Sequence, residues 1–194
     1  MEPEEIRKKP ARIRRVAVYL GAHGAEDRKY ADGAATLGKF LADHDMTLVY
    51  GGSNTGIMKI LADTVIENGG KAVGVFTRNL PEELLHRGLT ETIIARTLAE
   101  RKALMLARAD AVIALPGSFG TWDELFDALA LRKIPRGGIH CPIGILNLDG
   151  YYDHLLAFIE HSVRTGFTAP EYGKLLKSGR TVEELFRLLA AGME

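Results

Sequence analysis

The chain has 194 residues and a mass of 21.2 kDa. Folding a chain of this size removes roughly 70% of its surface from water, which is enough for one sizeable hydrophobic core. Hydrophobic residues make up 46% and charged residues 26%, and 25 Lys and Arg balance 25 Asp and Glu. This composition excludes a disordered chain and argues against a general nucleic-acid-binding protein, which carries an excess of positive charge.

The N-terminal residues and the cysteine content indicate the cellular compartment of the protein. Residues 1–13 form a charged leader without an apolar signal-peptide core, and we expect this leader to be flexible and residues 14–194 to form a single domain. No apolar segment has the length of a membrane span. Cys141 is the only cysteine, which excludes an internal disulfide and a cysteine-based structural zinc site. A reducing cytoplasm is the simplest interpretation.

Short apolar strands alternate with helices along the chain. Strands are predicted at residues 16–21, 47–50, 72–77, 90–96, 111–115 and 142–148. Helices are predicted at residues 27–44, 55–68, 98–109, 121–133, 151–165 and 182–190. This alternation predicts one doubly wound, Rossmann-like α/β domain, with a single mostly parallel sheet and helices on both faces. Such folds bind ligands beyond the carboxyl ends of their strands.

The first of two glycine-rich loops follows the second predicted strand and leads into a helix. Its sequence is Tyr50-Gly51-Gly52-Ser53-Asn54-Thr55-Gly56-Ile57-Met58. Glycine lets a ligand approach the backbone closely, and the free N–H groups at a helix start favour an anion. The alternative is a tight strand-to-helix turn with Thr55 as the N-cap.

The second glycine-rich loop follows the fifth predicted strand. Its sequence is Leu115-Pro116-Gly117-Ser118-Phe119-Gly120-Thr121-Trp122-Asp123-Glu124. Thr121 and Glu124 have the spacing of a capping box, with Thr121 as the N-cap, so Glu124 is a candidate helix cap. Two loops at strand ends can also face one cleft, where Glu124 would be a candidate catalytic carboxylate beside a phosphate site.

These motifs resemble those of the LONELY GUY (LOG) family. The second loop resembles the family's P-G-G-x-G-T-x-x-E signature and the first its G-G-G-x-x-G-L-M, while Glu100-Arg101-Lys102 stands at its E-R-K segment. The resemblance covers residues 14–190. LOG proteins are dimers that hydrolyse cytokinin riboside 5′-monophosphates to free base and ribose 5-phosphate, and many bacterial relatives act on AMP.

The resemblance implies a set of site residues. Arg101 and Glu124 would be catalytic. The alternative for Arg101 is a solvated residue in the first turn of a helix, and we expect its side chain to be exposed. The residues implied in binding the substrate and its phosphate are Gly51, Gly52, Ser53, Asn54, Thr55, Gly56, Met58, Arg78, Lys102, Pro116, Gly117, Ser118, Phe119, Gly120 and Thr121. For Arg78 a surface charge is the alternative. Ser53 and Ser118 replace family glycines, and serine is strained where φ is positive.

The family was long labelled as possible lysine decarboxylases. Amino-acid decarboxylation usually needs pyridoxal phosphate bound to a lysine, and no lysine here lies in a context that identifies such a site. We therefore predict a homodimeric hydrolase that takes a small nucleotide, needs no metal or organic cofactor, and has neither a nucleic acid nor a membrane as partner. The alternative is a non-catalytic nucleotide-binding module in which Glu124 only caps a helix.

Overall fold

A computed structural model describes residues 13–23 and 27–192. The strands are β1 (Arg15–Tyr19), β2 (Thr47–Tyr50), β3 (Lys71–Thr77), β4 (Glu91–Ala95), β5 (Ala111–Ala114), β6 (Ile143–Leu146) and β7 (Leu176–Gly179). The helices are α1 (Arg28–Asp43), α2 (Gly56–Glu67), α3 (Leu98–Ala107), α4 (Phe119–Arg132), α5 (Asp153–Arg164), α6 (Pro170–Gly173) and α7 (Val182–Ala191). Residues 1–12 of the predicted leader lie outside the described residues, and Ile13 is buried.

All seven strands run parallel in one sheet, in the order β4-β3-β2-β1-β5-β6-β7. The chain adds strands on one side of β1 as far as β4, and then crosses to the other side of β1 with β5. The predicted doubly wound α/β fold is confirmed. Its topological switch point lies between β1 and β5, where such sheets form their ligand crevice.

Two hydrophobic clusters cover the two faces of the sheet, because successive residues of a strand point to opposite faces. Val18 of β1 belongs to the cluster under α1, α2 and α7. Its neighbour Tyr19 belongs to the cluster under α3, α4 and α5. The central strand is therefore buried on both faces, which explains its continuous apolar sequence. In the described part of the chain, no helix is both long and apolar enough to cross a membrane.

The sequence analysis misses two short elements near the carboxyl end. Strand β7 has the sequence LKSG, which carries no apolar run, and α6 is a single turn of four residues. β7 forms because it pairs with β6 and packs against α7, where Gly179 lies against the backbone of Leu185. Contacts from distant parts of the chain override weak local preference here.

Candidate active site

The end of β1 lies between the two glycine-rich loops. On one side, the Gly21 N–H group donates a hydrogen bond to the Pro116 carbonyl of the second loop at 3.2 Å. On the other side, Gly56 of the first loop has a φ of 54°, and a Cβ atom there would lie 2.0 Å from the Ala22 carbonyl oxygen. Only glycine fits this position. The two loops therefore flank one strand end beside the switch point, as the sequence predicts.

Helices α2 and α4 begin at these loops without a side-chain cap. Thr55 is the N-cap of α2, as predicted, but its hydroxyl is hydrogen-bonded to the Ser53 hydroxyl at 2.9 Å. In contrast, the side chains of Asp27, Thr97 and Thr181 cap α1, α3 and α7. The first N–H groups of α2 and α4, at the positive ends of two helix dipoles, are thus available to an anion.

The two serines that replace family glycines are not strained. Ser118 has a φ of −109°. Among the described residues, only Asp45 and Asp149 have a positive φ without being glycine. Ser53 and Ser118 therefore present their backbone N–H groups without strain, because neither needs the conformation reserved for glycine.

A buried ion pair joins α3 to α4 beside the first loop. Arg101 Nη1 donates to Glu124 Oε1 at 2.6 Å, and Arg101 Nε donates to the Val75 carbonyl at 2.8 Å. The two side chains are 13% and 9% exposed. Gly51 makes room for the guanidinium group, because a Cβ atom at Gly51 would overlap Arg101 Nη2. The expectation that Arg101 is exposed is wrong, since the side chain turns inward to reach these two acceptors.

The capping interpretation of Glu124 is also wrong. Helix α4 has Ser118 as its N-cap, so Thr121 lies inside the first turn and Glu124 in the second. At two other T-x-x-E sequences the spacing does produce a cap, because Thr97 and Thr181 accept hydrogen bonds from the N–H groups three residues later. Glu124 is instead directed at the arginine of α3.

The surroundings of Glu124 suit a proton acceptor. Burial raises the pKa of Glu124, the nearby charge of Arg101 opposes this effect, and the pKa remains above its ordinary value. A carboxylate with a raised pKa is a more effective general base near neutral pH. Within the described residues, Glu124 Oε2 accepts no hydrogen bond, so one carboxylate oxygen is left for a ligand.

Of the two further cations expected at the site, one is ion-paired and the other is exposed. Lys102 donates to Asp123 at 3.0 Å and lies 3.8 Å from Asp127, so its ammonium group joins α3 to α4. Arg78 is exposed at the carboxyl end of β3. Lys102 thus reinforces the contact between the helices that carry Arg101 and Glu124.

The segment between β3 and β4 fixes the first loop, which the sequence analysis misses. The Asn54 side-chain amide donates a hydrogen bond to the Glu83 carbonyl at 3.0 Å. The Asn54 backbone N–H group donates to the Leu84 carbonyl at 2.8 Å. The His86 N–H group donates to the Gly52 carbonyl at 2.9 Å. Asn54 therefore shapes the loop, with its amide turned to the protein. No local sequence signal marks these partners.

Two tyrosines after β6 fix the second loop. The Tyr152 hydroxyl donates to the Leu115 carbonyl at 2.6 Å, and the Tyr151 hydroxyl donates to the Gly117 carbonyl at 2.5 Å. The loop is thus held at its strand end, while Phe119 at its tip is exposed. The pair Tyr151-Tyr152 shortly after a buried strand is the sequence signal that marks this contact.

Comparisons with known proteins place the chain in a family. Residues 58–189 match the family described as possible lysine decarboxylase. The chain is 39% identical over 181 residues to a probable cytokinin riboside 5′-monophosphate phosphoribohydrolase of Oryza sativa subsp. japonica, covering 92% of this chain and 78% of that protein. It is 35% identical to a cytokinin riboside 5′-monophosphate phosphoribohydrolase of Arabidopsis thaliana, covering 92% and 84% of the two chains. The chain belongs to the LOG family.

Solved structures show the same fold at lower identity. The molybdenum cofactor binding protein of Rippkaea orientalis aligns with a TM-score of 0.70 and 20% identity, covering 94% of this LOG-family chain and 99% of that chain. The molybdenum cofactor carrier protein of Chlamydomonas reinhardtii aligns with a TM-score of 0.69, 20% identity and the same coverage of 94% and 99%. At this identity the likeness concerns the fold alone.

Breaking the ion pair of this LOG-family protein should destabilise it in a pH-dependent way. Arg101→Met leaves Glu124 buried without its cation, which costs roughly 3–5 kcal/mol. A carboxyl group whose pKa is raised on folding binds more protons in the folded state, so stability falls as the pH rises through that interval. We expect the loss to be smallest below about pH 4.3, the ordinary pKa of glutamate, and to grow toward neutral pH. Urea unfolding over this pH range measures it.

The double variant Arg101→Met with Glu124→Gln is the matched control, because it removes both charges. Its free energy of unfolding should lack the fall with rising pH that Arg101→Met shows over the same interval, because no titrating carboxyl group remains at position 124. A loss in Arg101→Met that is equal at every pH would contradict the assignment of this buried pair.

Proposed function

We propose that this protein hydrolyses the N-glycosidic bond of nucleoside 5′-monophosphates with a cytokinin or adenine base, releasing the free base and ribose 5-phosphate. The observation that carries the proposal is the buried Arg101–Glu124 pair beside two uncapped helix starts at one strand end. It agrees with the phosphoribohydrolase names of relatives at 35–39% identity. A module that only binds nucleotides needs the helix starts but not a buried carboxylate, and is not favoured.

The 5′-phosphate is proposed to bind at the starts of α2 and α4. The backbone N–H groups there and the two helix dipoles supply donors and positive potential without a further cation. The proposed binding residues are Gly51, Gly52, Ser53, Thr55, Gly56, Met58, Pro116, Gly117, Ser118, Phe119, Gly120 and Thr121. Asn54 and Lys102 are proposed to act indirectly, by shaping the first loop and by joining α3 to α4. Arg78 is proposed to contact the phosphate or the base.

Glu124 and Arg101 are proposed to carry the chemistry. Breaking the bond between ribose C1′ and the base nitrogen builds positive charge on the ribose ring, which a carboxylate stabilises. Glu124 takes a proton from the water whose oxygen bonds to C1′, and the proton then passes to the base, which leaves with the bonding electron pair. Arg101 orients Glu124 and offers its donors to the substrate.

The chemistry of a lysine decarboxylase does not fit the lysines near the motifs. Pyridoxal phosphate is held by a lysine that forms a Schiff base. Lys59 and Lys102, which are close in sequence to the two motifs, are both ion-paired, with Asp63 and Asp123 respectively. We therefore propose hydrolysis without an organic cofactor or a metal. We also propose a cytoplasmic enzyme, since its only cysteine, Cys141, is a buried thiol.

We propose that the protein is a homodimer that associates through the layer of α3, α4 and α5. Large apolar side chains are exposed on each of these helices, among them Leu98, Phe126 and Phe158. Within the described residues, α1, α2 and α7 of the opposite layer expose none. Among the helices that cover the sheet, exposed apolar side chains are thus concentrated on one layer, and such a surface is typical of a protein interface. Leu125, which lies beside Phe126, is fully buried and belongs to the core.

The proposed reaction is tested by incubating the pure protein with AMP, with isopentenyladenosine monophosphate and with adenosine. Chromatography should detect release of the free base from at least one of the two monophosphates. Adenosine should react far more slowly, because it lacks the anion whose binding energy the helix starts supply. Equal kcat/KM values for AMP and adenosine would contradict the phosphate site, and binding of AMP without release of base would favour the non-catalytic module.

Glu124→Gln should reduce turnover by at least about 100-fold, because glutamine accepts no proton from water and carries no full negative charge. The amide oxygen can still accept the hydrogen bond from Arg101, so the variant should remain folded and bind AMP. Glu184→Gln, which alters a capping glutamate of α7, is the matched control and should keep wild-type turnover. Near-normal turnover of Glu124→Gln would remove Glu124 from the chemistry.

Light scattering at micromolar concentration should give twice the 21.2 kDa mass of one chain. Phe158→Glu, which places a charge on the apolar layer, should shift the protein toward the monomer. Lys39→Glu on α1 of the opposite layer is the control and should leave the mass unchanged. A wild-type protein that scatters only as a monomer would rule out the homodimer.

A further inference from the structure

Tyr19 carries a buried polar atom that the proposed chemistry does not use. Its side chain is 1% exposed, and its hydroxyl has no hydrogen-bond partner among the described residues. Tyr50 and Tyr152 are buried as deeply, but their hydroxyls donate to the carbonyl groups of Ser53 and Leu115. An unpaired buried hydroxyl is unfavourable, and phenylalanine would fill nearly the same space without that cost. The presence of tyrosine rather than phenylalanine at position 19 therefore indicates a role for the hydroxyl group.

The position of Tyr19 in the fold indicates what this role is. It is the last residue of β1, and it pairs with Ala114 of β5 at the switch point of the sheet. Its side chain lies in the core cluster under α4 together with Leu125, the residue that follows Glu124. The hydroxyl is thus buried beneath the helix that carries the proposed catalytic carboxylate.

The charges around this hydroxyl come from several elements. Burial raises the pKa of Tyr19 well above its ordinary value, and the negative charge of Glu124 is the largest electrostatic contribution to the increase. Cys141 and Asp127 contribute in the same direction, and Arg101 opposes them. Tyr19 is therefore a neutral phenol near neutral pH, and its O–H group can donate a hydrogen bond.

We propose that Tyr19 is a positioning residue for Glu124, whose buried O–H group stabilises the ionised carboxylate through a hydrogen bond relayed by one bound water. Buried water characteristically links polar groups that are otherwise unpaired. A donor to the charged form of an acid favours that form. Tyr19 thus opposes the increase in the pKa of Glu124 that burial causes, and so keeps the carboxylate ionised as a proton acceptor. The proposal rests on the proposed function only for the catalytic role of Glu124.

The first test measures the titration of Glu124 directly. Glutamate labelled with ¹³C at its side-chain carboxyl is followed by NMR against pH, and the Glu124 signal is identified by its loss in Glu124→Gln. In Tyr19→Phe the midpoint for Glu124 should move up by about 0.5–1 pH unit, the equivalent of one ordinary hydrogen bond. The melting temperature should fall by no more than about a few degrees, because the variant loses one water-mediated hydrogen bond and phenylalanine fills nearly the same space. An unchanged midpoint overturns the proposal.

Tyr152→Phe is the matched control from the same core cluster. It removes a hydroxyl that is already bonded, so the melting temperature should fall while the Glu124 midpoint stays at its wild-type value. An equal shift of the midpoint in both variants would mean that loosening of the core is the cause, and would overturn a specific role for Tyr19.

A reciprocal measurement uses the wild-type fold. With tyrosine labelled with ¹³C at Cζ, the Tyr19 signal should respond to pH with the midpoint of Glu124, and this response should vanish in Glu124→Gln. A Tyr19 signal that ignores the titration of Glu124 overturns the proposal.

Kinetic measurements then test the positioning role of Tyr19 separately from the proposed hydrolase activity. The acidic limb of kcat/KM for base release should move to higher pH in Tyr19→Phe by the same amount as the Glu124 midpoint, and an unmoved limb with normal turnover overturns the positioning role. If the wild-type protein releases no base, the proposed function fails, while coupled titrations of Tyr19 and Glu124 still support the link between them.

Discussion

The buried ion pair of Arg101 and Glu124 is the interaction on which the arrangement of the site depends. One guanidinium group connects three elements, because it lies on α3, donates to the backbone of β3 and pairs with α4. Desolvation makes such pairs poor contributors to stability, while their directional hydrogen bonds fix geometry. The pair therefore sets the distance between two helices, and one carboxylate oxygen of Glu124 accepts no hydrogen bond from the described part of the chain. Lys102, the next residue of α3, holds the same two helices together from a more exposed position.

The site is otherwise built from backbone. The starts of α2 and α4 offer N–H groups, and their geometry comes from contacts outside the motifs: the segment before β4 holds the first loop, and the tyrosines after β6 hold the second. A binding surface made of backbone tolerates changes in side chains. This explains how Ser53 and Ser118 can stand where the family has glycine, since both have ordinary backbone angles. Gly51 is less tolerant, because the arginine occupies the space of its missing side chain.

The sequence predicts the fold class, both glycine-rich loops and their position at strand ends, because apolar periodicity and glycine placement are local properties. It does not predict which oxygen Arg101 reaches, since Val75 and Glu124 lie 26 and 23 residues away. The T-x-x-E spacing misleads at Glu124 for a similar reason. Helix α4 starts at Phe119, before Thr121, and the tertiary partner in α3 decides where the carboxylate points. β7 and the unpaired hydroxyl of Tyr19 are likewise set by packing between distant segments.

The order of the chain has a consequence for how the site forms during synthesis. The ion pair, the first loop and the segment that holds it all lie between Tyr50 and Glu124, so these contacts become possible once α4 has left the ribosome. The contact that holds the second loop becomes possible later, because Tyr152, which donates to the Leu115 carbonyl, lies 37 residues further along the chain. The residues of the charged pair therefore leave the ribosome before Tyr152, which holds the second glycine-rich loop in place. The last strands to emerge, β6 and β7, complete the half of the sheet next to β5.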